Sequence, residues 1–115
     1  MIPFNHRNFA VLTGRVVKDP QPSIVGENLS KLSFVLATCE DTYYQGEKKE
    51  HTEFHRIELL GAKADQAQKA ALKKGDMLIV TGKLYTSKYA KDGVDQYEYK
   101  LKPHDFDVLS RSAKI

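Results

Sequence analysis

The sequence predicts an all-β fold, a small barrel of five strands with one short helix between the third and fourth strands. Three observations predict it. Apolar and β-branched runs recur along the chain and are separated by Gly, Pro and Asp turns. One segment near the middle changes to the apolar spacing of a helix. The length of 115 residues suits one domain, because a second core would leave neither half well buried.

The first three strands are predicted from apolar or alternating runs. Residues 9–17 are β-rich and end at the turn-forming Lys18-Asp19-Pro20. Residues 29–37 follow a link that is punctuated by Pro and Gly, and the later part of this run is apolar on both faces. Residues 39–51 are polar and charged around Gly46, which predicts an exposed connecting arm. Residues 52–60 alternate again and form the third strand.

The helix is predicted over residues 62–74, where Ala64 and Ala67 share one face with later apolar residues. Lys73 and Lys74 complement the dipole at its end, and Gly75 suits the position just after it. A long β-hairpin follows, with strands at 77–85 and 96–101 around a turn at 92–93, where the Asp-Gly pair is favoured in tight turns. Residues 106–109 finish the last strand beyond Pro103, which must lie at an edge or bulge because it has no N–H.

Composition excludes several classes of protein. Cys39 is the only cysteine, so neither a disulfide nor a zinc site of paired thiolates can form, and a reducing, cytoplasmic compartment fits. The four histidines are scattered, which predicts no metal, and no phosphate loop, nucleophile elbow or paired-carboxylate motif predicts a cofactor or an enzyme. No run approaches the roughly 20 apolar residues of a membrane span, so no membrane partner is expected. The net charge of +3 is compatible with a polyanionic partner.

The predicted third strand carries the most informative residues. Successive side chains of a strand point to opposite sides, so His55, Ile57 and Leu59 can close the barrel interior. Phe54 and Arg56 then point outward together. An exposed ring can stack on a base, which is worth about 1 to 3 kcal/mol, and an arginine can pair with phosphate. The alternative is that a neighbouring subunit or a loop covers Phe54.

Two further clusters combine rings with lysines. The stronger one lies on the fourth strand and its hairpin, where such spacing suits an electrostatic groove with stacking platforms: Lys83, Tyr85, Lys88, Tyr89, Lys91, Tyr97 and Tyr99. Cross-strand tyrosines also stabilise ordinary hairpins. The weaker cluster is on the polar arm, with Tyr43 and Tyr44 near Lys48 and Lys49. Acidic residues share this arm, so a merely solvated loop is an equal alternative.

Several motifs occur in an order that identifies a family: Leu12-Thr13-Gly14-Arg15, Lys18-Asp19-Pro20, Phe34-Val35-Leu36-Ala37-Thr38, Thr52-Glu53-Phe54-His55-Arg56, Lys73-Lys74-Gly75-Asp76 and Val80-Thr81-Gly82-Lys83-Leu84. With them the chain resembles the bacterial single-stranded DNA-binding protein (SSB) family over residues 8–109. The resemblance implies an OB-fold, the five-stranded Greek-key barrel whose face and loops bind oligonucleotides. It also implies binding and protection of single-stranded DNA during replication, recombination and repair.

The resemblance assigns roles to particular positions. Phe54 and Tyr89 match stacking tryptophans of the family, and His55 matches a subunit contact in what is usually a homotetramer, with a dimer as the alternative. Leu60 and Thr42 depart from positions where a stacking phenylalanine and a tryptophan are common. The expected DNA contacts are Arg15, Lys18, Tyr43, Lys49, Phe54, Arg56, Lys83, Tyr85, Lys88, Tyr89 and Tyr97.

The expected domain spans residues 1–110, and residues 111–115 form a short end without the acidic tail that recruits enzymes in the family. No tail-mediated recruitment is therefore expected, and a bacterial, phage or plasmid origin fits. Two other functions stay open. One is a primosome-type OB protein that bridges replication proteins and DNA, against which the Thr52–Arg56 motif argues. The other is a small metal-dependent nuclease, which would need clustered carboxylates.

Overall fold

A computed structural model describes residues 6–112 of the chain. Its elements follow in the order β1 (Ala10–Val16), β2 (Gln21–Val25), β3 (Leu29–Tyr44), β4 (Glu47–Leu60), α1 (Ala62–Lys69), β5 (Met77–Lys91) and β6 (Val94–Ser110). All strands pair antiparallel in one sheet. β3 pairs with β1, β2 and β4, whereas β5 pairs with β1 and β6. The mostly β architecture with one short helix is therefore confirmed.

The core lies on one side of this sheet and under α1. In β4 the alternation is as predicted, because Ile57 and Leu59 are buried while Phe54 is exposed. The buried apolar side chains come from β1, β3, β4, α1, β5 and β6 and from the α1–β5 connection: Val16, Leu32, Phe34, Leu36, Ile57, Leu59, Ala64, Ala67, Leu72, Leu78, Val80, Leu101 and Phe106. The opposite, outward side of the sheet carries exposed side chains such as Phe54.

The predicted arm is regular structure rather than a loop. Residues 39–51 continue strands β3 and β4 as one long hairpin, paired as far as Tyr44 and Glu47. Gln45 and Gly46 make the turn, both with positive φ. The arm is exposed as predicted. Its strands could not be recognised from the sequence because its side chains are polar and lack apolar alternation, whereas backbone pairing does not require buried side chains. The short strand β2 was also missed, since Pro22 lies within it and its side chains are mostly exposed.

The helix is shorter than predicted. α1 ends at Lys69, and Ala71 adopts a left-handed conformation with φ of 53°. The prediction of Gly75 as the residue that follows the helix is wrong. Instead Gly75 precedes β5 and its N–H donates to the Val16 carbonyl oxygen at 2.8 Å. The early end of the helix lets Leu72 turn into the core, where it is buried.

The second long hairpin, β5–β6, has the predicted turn. Asp92 and Gly93 both have positive φ, as a tight hairpin turn requires. Pro103 lies opposite Gly82 where the register of β6 shifts, which confirms its predicted place at a bulge. A Cβ atom at Gly82 would overlap the Lys102 carbonyl oxygen, so only glycine fits beside this bulge.

A buried carboxylate links the two chain segments at the start and the end of this second hairpin. Asp76 precedes β5 and is fully buried. Its carboxylate accepts hydrogen bonds from the Lys73 N–H at 3.0 Å, the Ser112 N–H at 2.8 Å and the Arg111 guanidinium at 2.8 Å. Burial raises the pKa of Asp76, but these hydrogen bonds and the Arg111 charge outweigh it and hold the pKa below its usual value. Residues 113–115 of the predicted C-terminal end lie outside the described residues.

Candidate nucleic-acid interface

A row of three residues crosses the outward side of the sheet. Arg15 of β1 lies opposite Ala37 of β3, and Ala37 lies opposite Phe54 of β4. Adjacent strands are about 4.8 Å apart, so Arg15 and Phe54 start roughly 10 Å apart with only a methyl group between them. Phe54 is 65% exposed. The row therefore presents a ring and a guanidinium on either side of a shallow floor.

The Arg15 guanidinium is held in place beside a groove. It donates to the Gly75 carbonyl oxygen at 2.9 Å. The groove has a volume of about 400 Å³ and is mainly apolar, and Ala37, Cys39 and Lys74 also line it. A cation at the wall of an apolar groove suits a ligand with flat rings and negative charge.

Arg56 extends the row along β4 toward the β1–β2 turn. Its side chain is largely exposed. Together with Lys18 it lines a smaller groove of about 190 Å³. The turn is fixed because the Lys74 N–H donates to the Asp19 carboxylate at 2.8 Å. The structure thus brings Lys18 and Arg56, which are distant in sequence, to one place.

The residues predicted on the β5–β6 hairpin divide between its two sides. β5 alternates without interruption, so Lys83, Tyr85 and Tyr89 point to the same outward side as Arg15. Lys88 and Tyr97 lie directly opposite each other on the other side. Lys88 also forms an ion pair with Asp95 at 3.2 Å. The hairpin therefore offers one outward row of two rings and a lysine that pairs with no other residue of 6–112, and Tyr97 and Tyr99 lie on its other side.

The residues predicted on the β3–β4 arm divide in the same way. Tyr43 shares the outward side with Phe54, whereas Lys49 points to the opposite side. The outward lysine of the arm, Lys48, lies 3.4 Å from Asp41 and 3.8 Å from Glu50. Its charge is already matched by these carboxylates.

With this geometry in view, the chain can be compared with known proteins. The sequence model of the single-strand binding protein family, SSB, matches residues 7–109. The chain belongs to the SSB family. The family is one of non-enzymatic DNA-binding proteins, and the resemblance carried by the sequence motifs is confirmed.

Relatives and solved structures agree with this membership. Proteins named single-stranded DNA-binding protein from Neisseria meningitidis serogroups A and B are each 29% identical over 104 residues, which is 89% of this chain and 59% of each relative. The chain thus spans about three fifths of their length. A deletion mutant of the single-stranded DNA binding protein from Thermus aquaticus matches with a TM-score of 0.79 and 27% identity, over 90% of this chain and 51% of that one. A Plasmodium falciparum SSB complex with ssDNA matches with a TM-score of 0.78 and 25% identity, over 95% and 100%.

Leu60 and Thr42, where the sequence resemblance predicts departures from the SSB family, lie on different sides of the sheet. Leu60 is half-exposed and points outward, on the same side of β4 as Phe54. Thr42 points to the other side, and its hydroxyl donates to the Lys49 carbonyl oxygen at 3.4 Å. Leu60 therefore adds an apolar but non-aromatic side chain to the outward side of β4, beyond Arg56 and Glu58.

His55 alternates with Phe54 and Arg56 along β4 and so points to the other side of the strand. Its Nε2 atom is 2.9 Å from the Thr38 hydroxyl oxygen, and its ring is half-buried. It lines a cleft of about 420 Å³ between β4 and β6, together with Ala10 and Leu12 of β1, and Phe54 and Arg56 line the same cleft. The cleft therefore reaches from the β1 edge beside His55 to the outward residues Phe54 and Arg56.

Alternation along β4 places Glu58 on the same side as Arg56, but the lysine that pairs with it was not predicted from the sequence. Lys31 of β3 lies 2.8 Å from Glu58, the next outward residue of β4 after Arg56. The Lys31 hydrogen bond lowers the pKa of Glu58 despite partial burial of the carboxyl group, with help from Lys100 and Arg56. Lys31 directly precedes the buried Leu32, so the alternation of the strand could have placed it outward.

Two further observations concern the described residues alone. Within residues 6–112 no group of three His, Cys, Asp or Glu side chains is arranged to hold a metal ion. No helix in this part of the chain has the length and apolar character to cross a membrane.

Proposed function

We propose that this chain binds single-stranded DNA without sequence preference and so protects unpaired strands during replication, recombination and repair. The observation that carries the proposal is the shared orientation of exposed rings and cations on one side of the sheet. Phe54, Tyr85 and Tyr89 offer stacking platforms there, and Arg15, Arg56, Lys18 and Lys83 offer charges. The likeness to an SSB that was solved with ssDNA supports it.

The chemistry explains the absence of sequence preference. Every base has a face that can stack on a ring, and every nucleotide has a phosphate that a lysine or arginine can neutralise. Neither contact reads the edge of a base, where sequence is encoded. Binding should therefore weaken as salt rises and vary little with base composition.

The test of this surface is Phe54→Ala. It removes one stacking platform without touching the core, so affinity for a labelled oligo(dT) should fall by about 1 to 3 kcal/mol. Ile24→Ala is the matched control, because Ile24 is 64% exposed and β2 carries it on the opposite side of the sheet. Fluorescence anisotropy at two salt concentrations gives both affinities. A folded Phe54→Ala variant that binds as tightly as Ile24→Ala contradicts the surface assignment.

We also propose that the sheet closes into the five-stranded OB barrel, with β4 meeting β6. Side chains of both strands line the cleft that contains His55. Lys100 of β6 is near enough to Glu58 of β4 to lower its pKa, although the main cause is the Lys31 hydrogen bond. Slow hydrogen exchange at backbone amides on the facing edges of β4 and β6 is the expected signature.

The free edge of β1 supports a homo-oligomer, which we propose to be a tetramer with a dimer as the smaller alternative. Within the described residues β1 pairs with β3 only at Arg15 and Val16, so the edge of residues 10–14 away from β5 lacks a strand. Exposed Phe9 and Val11 flank this edge, and His55 lines the cleft beside it. An open, apolar strand edge favours pairing with a second copy.

Sedimentation across micromolar concentrations tests the oligomer. Val11→Lys adds a charge beside the β1 edge without disturbing buried residues, and we expect it to lower the mass of the assembly. Ile24→Lys, which adds the same charge on β2, should leave the mass unchanged. A wild-type chain that sediments as a monomer throughout rules the proposal out.

A further inference from the structure

One carboxylate lies among the cations of the proposed DNA surface. Glu58 is on the outward side of β4, two residues beyond Arg56 and four beyond Phe54. Its Oε2 atom is 2.8 Å from the Lys31 Nζ atom, and its Oε1 atom is 3.7 Å from the Arg56 Nε atom. A single acidic group therefore engages cations of two neighbouring strands.

The charge of Glu58 is firmly negative at neutral pH. The hydrogen bond from Lys31 is the largest cause of its lowered pKa, and the nearby charges of Lys100 and Arg56 add to it. About a third of the side chain is exposed, so the carboxylate faces the same solvent that a DNA strand would displace. Three positive groups from β3, β4 and β6 thus act on Glu58, and one of them, Lys100, is also paired with Glu98 at 3.4 Å.

Pairing of β3 with β4 does not depend on this ion pair. The backbone register of the two strands is continuous from Lys31 opposite Leu60 to Tyr44 opposite Glu47. Partly exposed ion pairs add little to the stability of a fold. The position of Glu58 therefore has more consequence for what Lys31 and Arg56 can bind than for the fold.

We propose that Glu58 is an internal counterion that competes with DNA phosphate for Lys31 and Arg56, and so sets the strength and salt dependence of binding. The inference rests on the proposed function. A carboxylate and a phosphodiester each carry one negative charge and accept hydrogen bonds from the same donors. A lysine or arginine that stays paired with Glu58 neutralises no phosphate and so releases none of the cations condensed on the strand, and Lys31 and Arg56 therefore contribute less than free cations would.

The experiment compares Glu58→Gln with Glu27→Gln in the full chain. Glu27 lies exposed between β2 and β3 and makes no side-chain hydrogen bond or ion pair within residues 6–112, so its substitution changes net charge alone. Binding of labelled oligo(dT) is measured over a series of salt concentrations. We expect Glu58→Gln to bind about 3- to 10-fold more tightly at low salt and to steepen the log-log slope by about 0.7 for each additional phosphate that is neutralised. Glu27→Gln should change both much less.

A double variant sharpens the comparison. Lys31→Gln combined with Glu58→Gln removes the freed cation again, so its salt slope should return toward that of the wild type. A slope that stays as steep as in Glu58→Gln overturns the competition. If Glu58→Gln does not fold, Glu58→Asp makes the same test, because it keeps the charge but withdraws the carboxylate by one methylene. Tighter binding by this variant supports the inference, and unchanged or weaker binding overturns it.

The other outcomes separate the inference from the proposed function. Equal increases in affinity in Glu58→Gln and Glu27→Gln mean a general charge effect and overturn the inference. Weaker binding by Glu58→Gln means that the carboxylate orients its cations for DNA, which also overturns it. If the wild type binds oligo(dT) and Phe54→Ala weakens that binding, an unchanged Glu58→Gln defeats the inference alone. A wild type that does not bind oligo(dT) defeats both.

Discussion

Two long hairpins, β3–β4 and β5–β6, extend from the same sheet. Their backbone architecture is alike, but their charged and aromatic side chains differ. Residues 39–53 of the first carry five carboxylates and two lysines, with two tyrosines. Residues 83–102 of the second carry five lysines and three carboxylates, with four tyrosines. Both end in a tight turn of two residues with positive φ. Topology therefore does not decide which hairpin suits DNA, whereas charge balance and the number of rings do.

Ion pairing widens the difference. In the first hairpin the outward Lys48 lies between two carboxylates, Asp41 and Glu50. In the second, Lys83 makes no side-chain hydrogen bond or ion pair with any residue of the described part of the chain, and it points outward beside Tyr85. A phosphate can approach Lys83 without displacing an internal partner. The β5–β6 hairpin is thus the stronger candidate for DNA contact.

The two hairpins also differ at the ends where they leave the core. The Lys31–Glu58 pair at the base of β3–β4 is partly exposed. The Asp76 carboxylate at the base of β5–β6 is fully buried and is bonded to residues on both sides of the hairpin. The second hairpin is consequently anchored to the fold through a buried charge.

The largest expected effect comes from breaking that anchor. Asp76→Asn leaves the Arg111 guanidinium without its carboxylate and weakens two backbone hydrogen bonds, so we expect a loss of about 2 to 4 kcal/mol in the free energy of unfolding. Glu58→Gln at the base of the other hairpin should cost less than about 1 kcal/mol. Urea denaturation of both variants measures the difference. Equal losses of unfolding free energy would mean that Asp76 and Glu58 stabilise their hairpins to the same extent.

The effect of Asp76 should also depend on pH. Its pKa is lower in the folded chain than in the unfolded chain, so its contribution is complete above the ordinary aspartate value of about 4. The contribution is lost as the pH falls through the lower folded value. Wild type and Asp76→Asn should therefore differ most in unfolding free energy near neutral pH and converge in acid. A gap of the same size at both pH values contradicts this role.

Sequence alone could predict much of this comparison. Alternation in β4 predicts that Phe54 and Arg56 point outward, and the Asp-Gly pair predicts the second turn, because both depend on local rules. The strands of the first hairpin could not be predicted in this way, since an exposed strand of charged residues lacks the apolar alternation by which strands are recognised. The Lys31–Glu58 and Asp76–Arg111 ion pairs could not be predicted from the sequence. Each joins residues at least 27 positions apart, and only the sheet register and the chain ends bring them together.

A smaller effect is expected for single rings on the two hairpins. Tyr89→Ala should weaken oligo(dT) binding by about 1 to 3 kcal/mol, because it removes an outward stacking platform. Tyr43→Ala should cost less, because the carboxylates that flank Tyr43 repel the phosphates of a stacked strand. Tyr97→Ala, on the back of the second hairpin, should also cost less. Tyr89→Phe keeps the ring and should restore most of the affinity.

Equal losses in Tyr89→Ala and Tyr43→Ala would show that both hairpins contact DNA equally. The sequence-based prediction of a DNA contact at Tyr43 would then stand. A larger loss in Tyr97→Ala than in Tyr89→Ala would instead assign the strand to the opposite side of the β5–β6 hairpin.

The smallest expected effect is on salt dependence, and it isolates charge from stacking. Lys83→Gln should lower the log-log slope of affinity against salt by about 0.7, since one free cation no longer meets a phosphate. Lys48→Gln should leave the slope nearly unchanged, because Asp41 and Glu50 already neutralise Lys48. The double variant Asp41→Asn with Glu50→Gln removes both carboxylates and frees Lys48. The slope of affinity against salt should then steepen by the amount expected for one more neutralised phosphate. If the freed Lys48 adds nothing, the β3–β4 hairpin lies away from the DNA altogether, and its acidic side chains are not what keeps the strand from it.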